Sequence, residues 1–155
     1  MEVNQRKINS NEKEITYTHI ETGSPAICFM FSGAGYTYEK PLFYYSTMIM
    51  LQNQYDVVHI HYAYDQDIFK HPLKFDSIFD GLLSCNHSAH IVIGEKDHHY
   101  IPDKIQAIEN KPNISMNKIP HANHSLDIEP FDTSRTIIVL EGVMNRMEEF
   151  LKNIG

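Results

Sequence analysis

The chain has 155 residues, of which 42% are hydrophobic and 21% are charged, and its formal net charge is −7. This composition predicts one globular domain over residues 1–155, and the acidic balance argues against a nucleic-acid partner, because phosphate neutralisation needs clustered Lys and Arg. No segment reaches the roughly 20 apolar residues of a membrane helix, and the polar N-terminus lacks the apolar core of a secretory signal, so a cytoplasmic protein without a membrane partner is expected.

Strands are predicted where apolar residues alternate or form continuous runs. Residues 1–13 are polar and are expected to be flexible. The segment 14–21 alternates as a half-buried strand does, whereas the run 26–31 is apolar throughout, which is typical of a strand buried on both faces. The strands predicted in this way are residues 14–21, 26–31, 55–64, 89–94 and 113–120.

Helices are predicted between these strands from the spacing of apolar residues. The first has Pro41 in its first turn, a position that proline favours. The last is expected to be capped by Thr133 or Ser134. The helices predicted in this way are residues 41–54, 75–85, 101–110 and 133–155.

Strands that alternate with helices predict an α/β fold with three layers, α/β/α, around a mostly parallel sheet. In such sheets ligands bind at the carboxyl ends of the strands. Three loops follow strands directly and should therefore converge on one rim: residues 32–37, 95–100 and 121–130.

These three loops resemble the catalytic loops of the α/β-hydrolase superfamily, in particular its small serine esterases and dienelactone-hydrolase-like members. IVIGEKD resembles the segment that carries the acid, which implies Asp97, and IPHANHSLD resembles the histidine loop, which implies His124 as general base. FMFSGAGYT resembles the segment whose backbone N–H groups stabilise an oxyanion, with Ala34 as a donor. That resemblance implies an oxyanion and substrate loop made of Ser32, Gly33, Ala34, Gly35 and Tyr36.

The resemblance runs from about residue 14 to the end of the chain, but the nucleophile segment of the family has no counterpart in it. No G-x-S-x-G motif occurs, and only 24 residues lie between Tyr64 and Ala89. A further strand–helix–strand passage would need roughly 30 residues by itself. We therefore expect a shortened α/β-hydrolase topology, joined near residues 69–76, in which strand 26–31 pairs directly with strand 89–94 in a sheet of about five strands.

The resemblance implies acyl transfer on a small ester-like substrate without a cofactor. Because a general base needs a nucleophile within hydrogen-bond reach, the missing serine predicts weak or no esterase activity. Ser32 lies near the predicted rim but lacks the sharp turn that exposes a nucleophile. A non-catalytic binding protein that uses the former active-site rim is the alternative, and a homodimer is expected where removal of strands exposes apolar surface.

A metal-dependent hydrolase is the second alternative, because the chain has ten histidines. His59 and His61 share one face of a strand, and further histidines lie in the two loops that carry Asp97 and His124, at positions 98, 99 and 121. Imidazoles and a carboxylate can bind Zn²⁺ or Ni²⁺. No HExxH or CxxC spacing is present, so no metal cofactor is expected.

Overall fold

The computed structural model of this chain describes residues 1–10, 13–32, 36–61 and 73–154. These residues form two compact units, Met1–Gln66 and Asp67–Gly155. A single domain over the whole chain stays a prediction. The elements are β1 (Glu2–Ser10), β2 (Lys13–Glu21), β3 (Ile27–Phe31), α1 (Pro41–Gln52), β4 (Asp56–His61), α2 (Leu73–Ser84), β5 (Ala89–Gly94), α3 (Pro102–Glu109), β6 (Ile114–Ile119) and α4 (Thr133–Ile154).

The first unit contains a four-stranded sheet in the order β1-β2-β4-β3. The pairs β1–β2 and β2–β4 are antiparallel, and only β3–β4 is parallel. The expected mostly parallel sheet is therefore wrong for this unit, which has a mixed sheet. There are two reasons. Strand β2 runs antiparallel to β4, and the residues expected to be flexible form a strand, β1, that pairs along its whole length with β2, from Glu2 opposite Glu21 to Ser10 opposite Lys13.

Strand β1 forms although it is polar, because its stabilising contacts come from β2. The ladder satisfies backbone groups along the pair, which local apolar patterning does not reveal. Two cross-strand ion pairs are added, Arg6 with Glu21 at 2.7 Å and Lys7 with Glu14 at 2.8 Å. Both are solvent-exposed, so each contributes well under about 1 kcal/mol.

The two faces of this sheet differ. On one face α1 packs against β4, and the Thr47 hydroxyl lies 2.8 Å from His59 Nε2. On the other face Phe29 and Phe31 of β3 remain 58% and 61% exposed. The prediction that residues 26–31 are buried on both faces is wrong, because β3 lies at the edge of its sheet beside an open apolar groove of about 310 Å³. The groove is lined by Ile8, Tyr17, His19, Ile27, Phe29, Val58 and Ile60.

The expected direct pairing of strands 26–31 and 89–94 is also wrong for the described strands. Strand β3 pairs with β4, whereas β5 pairs with β6 in a separate two-stranded parallel sheet. The expected sheet of about five strands is therefore replaced by sheets of four and two strands. Residues 69–72 of the expected join lie outside the described residues, and residues 73–76 belong to helix α2.

In the second unit, helices lie against both faces of the β5–β6 pair. Ile91 and Ile93 of β5 pack on a core that includes Ile105 and Ile108 of α3, and Ile108 is 1% exposed. His90, the residue before Ile91, points the other way, with its ring 5.8 Å from that of Phe150 in α4. The period-two alternation of side chains along a strand explains why one strand serves both layers.

Helix α4 begins as predicted at Thr133, but its cap is Asp132, which precedes both expected residues. The Asp132 carboxylate accepts a hydrogen bond from the Arg135 backbone N–H at 3.0 Å, the contact that an N-cap makes. Among the described residues, none of the helices is both long and apolar enough to cross a membrane.

Asp56 should make the stability of the first unit dependent on acid pH. Hydrogen bonds from the Thr22 backbone N–H and hydroxyl, and from the Ser24 N–H, lower the pKa of Asp56 from 3.8 to about 2. Because the folded pKa lies below the unfolded one, this stabilisation is complete above pH 3.8 and is lost as the pH falls towards 2. We expect Asp56→Asn to lower the urea midpoint at pH 7 and to differ progressively less from the wild type below pH 4. A constant difference across pH 2–7 would contradict this assignment.

Candidate active site

The acid loop is a tight turn that starts where β5 ends. The Asp97 N–H donates to the Gly94 carbonyl at 3.1 Å, and the Tyr100 N–H donates to the Asp97 carbonyl at 2.9 Å. These two bonds fix the backbone on both sides of Asp97. The Asp97 side chain is 9% exposed, so its carboxylate is largely withdrawn from water.

The histidine loop is closed by Asn123, a residue that the sequence analysis did not single out. Its side-chain Oδ1 accepts hydrogen bonds from the Ser125 N–H at 2.9 Å and from the Asp127 N–H at 3.1 Å. Its own N–H donates to the Asp127 carbonyl at 2.9 Å. An asparagine side chain commonly closes a turn by accepting a hydrogen bond from the backbone N–H two residues later. This tendency could have identified Asn123 from the sequence. The closed loop holds His124 at its tip.

The two loops meet at Gly94 and Ala122. The Lys96 N–H donates to the Ala122 carbonyl at 2.8 Å, and Ala122 is fully buried. A Cβ on Gly94 would lie 2.6 Å from the Ala122 carbonyl carbon and from the Asn123 carbonyl oxygen. This closeness exists only because Gly94 has no side chain.

This junction brings Asp97 and His124 together, although 27 positions separate them. His124 Nδ1 lies 2.8 Å from Asp97 Oδ2. The other carboxylate oxygen, Oδ1, accepts the His99 backbone N–H at 2.9 Å and lies 3.1 Å from His99 Nδ1. The His124 side chain is 65% exposed, so the remainder of the ring is open to a reactant. The geometry is that of a carboxylate that orients an imidazole; a catalytic role for the pair stays a prediction.

The electrostatics keep the carboxylate ionised. Burial raises the pKa of Asp97, but hydrogen bonds from the His99 N–H and His124, together with the nearby imidazoles, outweigh it and bring the pKa below its ordinary value. The pKa of His99 is lowered by burial and by the neighbouring His98. At neutral pH this site therefore presents an anionic carboxylate and an uncharged His99 ring.

His98 also joins this cluster, with its Nδ1 3.4 Å from Asp97 Oδ1. One ligand atom from each of Asp97, His98, His99 and His124 lies within 4.8 Å of the others, a grouping that could hold a metal ion. These histidines were predicted to lie in neighbouring loops, but no metal was expected there. His121, which was considered beside them, is exposed, has a positive φ of 62° and stands outside the group.

The predicted oxyanion loop is described only at its two ends. Gly33, Ala34 and Gly35 lie outside the described residues, so their role as N–H donors stays a prediction. The Ser32 N–H donates to the Tyr38 hydroxyl at 3.1 Å. The Tyr36 ring lies 5.8 Å from that of Phe43.

Tyr38 is a second residue that the sequence analysis missed. It is 8% exposed, and its hydroxyl lies 2.8 Å from the Met30 carbonyl and 2.7 Å from the Ile60 carbonyl, near the carboxyl ends of β3 and β4. A hydroxyl has one proton, so it donates to one carbonyl at a time while it accepts from Ser32. Tyr38 thus connects Ser32, the first residue of the predicted oxyanion loop, to the ends of both β3 and β4.

His59 and His61 pack around the same tyrosine. The His59 ring is stacked on Tyr38 with centroids 4.1 Å apart, and burial lowers the pKa of His59. His61 meets Tyr38 edge-on at 5.4 Å, and its Nε2 lies 2.8 Å from the Thr18 hydroxyl. Each of the two imidazoles thus contacts a threonine hydroxyl, Thr47 for His59 and Thr18 for His61.

Comparison with known proteins shows which fold this is. No protein-family model and no curated protein sequence matches the chain. A putative alpha/beta hydrolase from Agrobacterium tumefaciens superposes with a TM-score of 0.62 at 10% identity, over 97% of this chain and 97% of that one. An a/b serine hydrolase without lid from Xanthomonas campestris gives 0.57 at 9% identity, over 98% and 94%. Est1E from Butyrivibrio proteoclasticus gives 0.58 at 12% identity, over 96% and 98%. The predicted likeness is thereby confirmed at the level of architecture: the chain has the α/β-hydrolase fold.

Proposed function

We propose that this chain is a shortened α/β hydrolase in which Asp97 and His124 act as a general base towards small ester-like substrates. The proposal is carried by one observation, the 2.8 Å contact between His124 Nδ1 and Asp97 Oδ2. A carboxylate at that position selects the tautomer with its proton on Nδ1, which leaves Nε2 as a proton acceptor, and it stabilises the imidazolium that forms.

Water is the nucleophile in this scheme. His124 Nε2 takes a proton from a water molecule as the water oxygen bonds to the ester carbonyl carbon. The tetrahedral intermediate then collapses, the bond to the leaving alcohol breaks, and His124 returns the proton to that alcohol. Acid–base assistance alone contributes about 10²–10⁴-fold, far less than a complete serine hydrolase site, so the activity is weak.

The proposal assigns no serine nucleophile because the sequence lacks the family's nucleophile motif. No G-x-S-x-G motif occurs, and the passage between β4 and β5 contains only helix α2 among its described residues. The proposed topology lacks the family's nucleophile strand and the strand that follows it. The position of β3 at the edge of its sheet, with Phe29 and Phe31 exposed, supports this proposal.

The role of Ser32 to Tyr36 as an oxyanion and substrate loop stays a prediction from the resemblance. Its support is positional: Ser32 directly follows β3 and is anchored by its N–H to Tyr38. The expected homodimer and cytoplasmic location stay predictions.

The test is hydrolysis of p-nitrophenyl acetate, beside labelling with a fluorophosphonate probe. We expect slow hydrolysis by the wild type and no probe adduct by intact mass. Hydrolysis should be slower in D₂O because a proton is transferred from water to His124 as the water attacks. In His124→Ala the rate should fall to the uncatalysed background. His87→Ala is the matched control: it removes another exposed histidine of the same unit and should keep the wild-type rate.

Three outcomes would contradict the proposal. A stoichiometric fluorophosphonate adduct would show that a nucleophile exists after all. Equal losses of activity in His124→Ala and His87→Ala would show that surface imidazoles hydrolyse this reactive ester without a site. If the folded wild type does not hydrolyse the ester above background, Asp97 and His124 have no catalytic role towards it.

A further inference from the structure

The mechanism above uses one histidine beside Asp97, but the structure gathers three. Asp97, His98 and His99 belong to the loop after β5, and His124 belongs to the loop after β6. The Nδ1 atoms of His98, His99 and His124 lie 3.4, 3.1 and 2.8 Å from oxygens of this one carboxylate. Three imidazoles that turn the same nitrogen towards one carboxylate exceed what an acid–base pair requires.

The spacing of these atoms matches a small tetrahedral ion. Zn²⁺ binds imidazole nitrogen and carboxylate oxygen at about 2.0–2.2 Å, which sets neighbouring ligand atoms about 3.3 Å apart. The Nδ1 atoms of His98 and His99 lie 3.4 and 3.1 Å from Asp97 Oδ1, close to that value, and one ligand atom from each of the four residues lies within 4.8 Å of the others. An ion could thus enter with small movements of side chains.

The surroundings favour a defined site over a casual cluster. The side chains of Asp97 and His99 are 9% and 20% exposed, whereas those of His98 and His124 are 71% and 65% exposed. Two of the ligands are therefore held in place by the surrounding protein, and the other two approach the ion from the solvent side. The His99 N–H donates to Asp97 Oδ1 at 2.9 Å and orients the carboxylate, as outer hydrogen bonds do at metal sites.

We propose that Asp97, His98, His99 and His124 bind one divalent transition-metal ion of the zinc type. Three imidazoles and one carboxylate provide the nitrogen and oxygen ligands that Zn²⁺ accepts, and there is no thiolate in the set to favour copper(I) or iron–sulfur clusters.

Binding of the ion excludes the base proposed for ester hydrolysis, and this part rests on the proposed function. His124 Nδ1 cannot carry both a metal ion and the proton that it shares with Asp97 Oδ2. The ion therefore replaces the hydrogen bond that orients His124. Zinc should act as an inhibitor that a chelator reverses.

The experiment titrates chelator-treated, dialysed protein with Zn²⁺ against a chromophoric competitor, and with Co²⁺ by visible absorption. We expect one ion per chain and the intense absorption of four-coordinate Co²⁺. His98→Ala and His99→Ala should each weaken Zn²⁺ binding by about tenfold or more. His98 is exposed enough that its replacement will not disturb folding, and His87→Ala and His121→Asn are controls that should bind as the wild type does.

The outcomes separate the two proposals. Saturable one-to-one binding that is weakened by about tenfold or more in both variants supports the site even if no ester is hydrolysed. Binding of several ions, weakened equally by the control substitutions, or no saturable binding, would overturn it. Ester hydrolysis that continues unchanged at saturating Zn²⁺ would overturn the exclusion between metal and base.

Discussion

Gly94→Ala is expected to lower the free energy of unfolding by about 2 kcal/mol or more, which is large for the addition of one methyl group. The new Cβ would lie closer to the Ala122 carbonyl group, and to the Asn123 carbonyl oxygen at 2.6 Å, than real Cβ atoms approach any neighbour. Both neighbours are backbone atoms of the histidine loop, so no side chain can rotate away. The loop itself must move.

That movement should also separate His124 from Asp97. The bond from the Lys96 N–H to the Ala122 carbonyl, 2.8 Å long, joins the two loops beside Gly94. We expect faster amide hydrogen exchange across residues 114–127 in the variant, together with loss of ester hydrolysis and of zinc binding. The measurements are urea denaturation and exchange followed by mass spectrometry.

Gly142→Ala is the matched control for Gly94→Ala. It makes the same substitution in the same unit, in the middle of α4, where no atom lies within 4 Å of the added Cβ. Alanine stabilises a helix interior by about 0.8–1 kcal/mol relative to glycine, so this variant should be more stable than the wild type. If the two substitutions change the free energy of unfolding equally, the Gly94 backbone does not lie as close to the Ala122 and Asn123 carbonyl groups as described.

Asp97→Asn is expected to reduce ester hydrolysis to the uncatalysed background, as His124→Ala does. The carboxylate is ionised at neutral pH because hydrogen bonds hold its pKa below the ordinary value, so the substitution removes a full charge beside His124. An amide can still contact Nδ1 but cannot stabilise the imidazolium that forms when His124 takes a proton. The measurement is the rate of p-nitrophenyl acetate hydrolysis at pH 7.

The double variant Asp97→Asn/His124→Ala tests whether the two residues act as one unit. Groups that act together show effects that are far from additive, so the double variant should hydrolyse the ester within about twofold of either single variant. Multiplicative losses would mean that Asp97 and His124 contribute independently, and the orienting role of the carboxylate would then be wrong. A circular dichroism spectrum unchanged in all three variants is the folding control.

Helices and central strands were predictable because their signals are local. Pro41 and Pro102 stand in the first turn of helices α1 and α3, where a missing N–H costs nothing, and both helices lie within a few residues of their predicted bounds. The strands β5 and β6 likewise follow from short apolar runs between turn residues. A few neighbouring residues carry all of this information.

Strand β1 and the exposure of β3 were not predictable for the same reason. The polar residues of β1 become a strand only because β2 provides its hydrogen-bond partners. The apolar residues of β3 have the pattern of a buried strand, but their burial depends on which elements cover them, and Phe31 stays 61% exposed at the edge of the sheet. Pairing and covering are properties of distant segments, which local patterns do not encode.

The sequence by itself determined that Asp97 and His124 follow neighbouring strands, since parallel strands deliver their carboxyl ends to one edge. Only the tertiary structure decided that His98 and His99 join them around one carboxylate, with nitrogens at 3.4 and 3.1 Å. The direction of a side chain in a turn depends on backbone angles and on the close approach of the facing loop at Gly94. Both the backbone angles and the close approach are set by packing between residues far apart in the chain. The sequence therefore predicts where the two loops lie, and the contact between the loops brings the four side chains together.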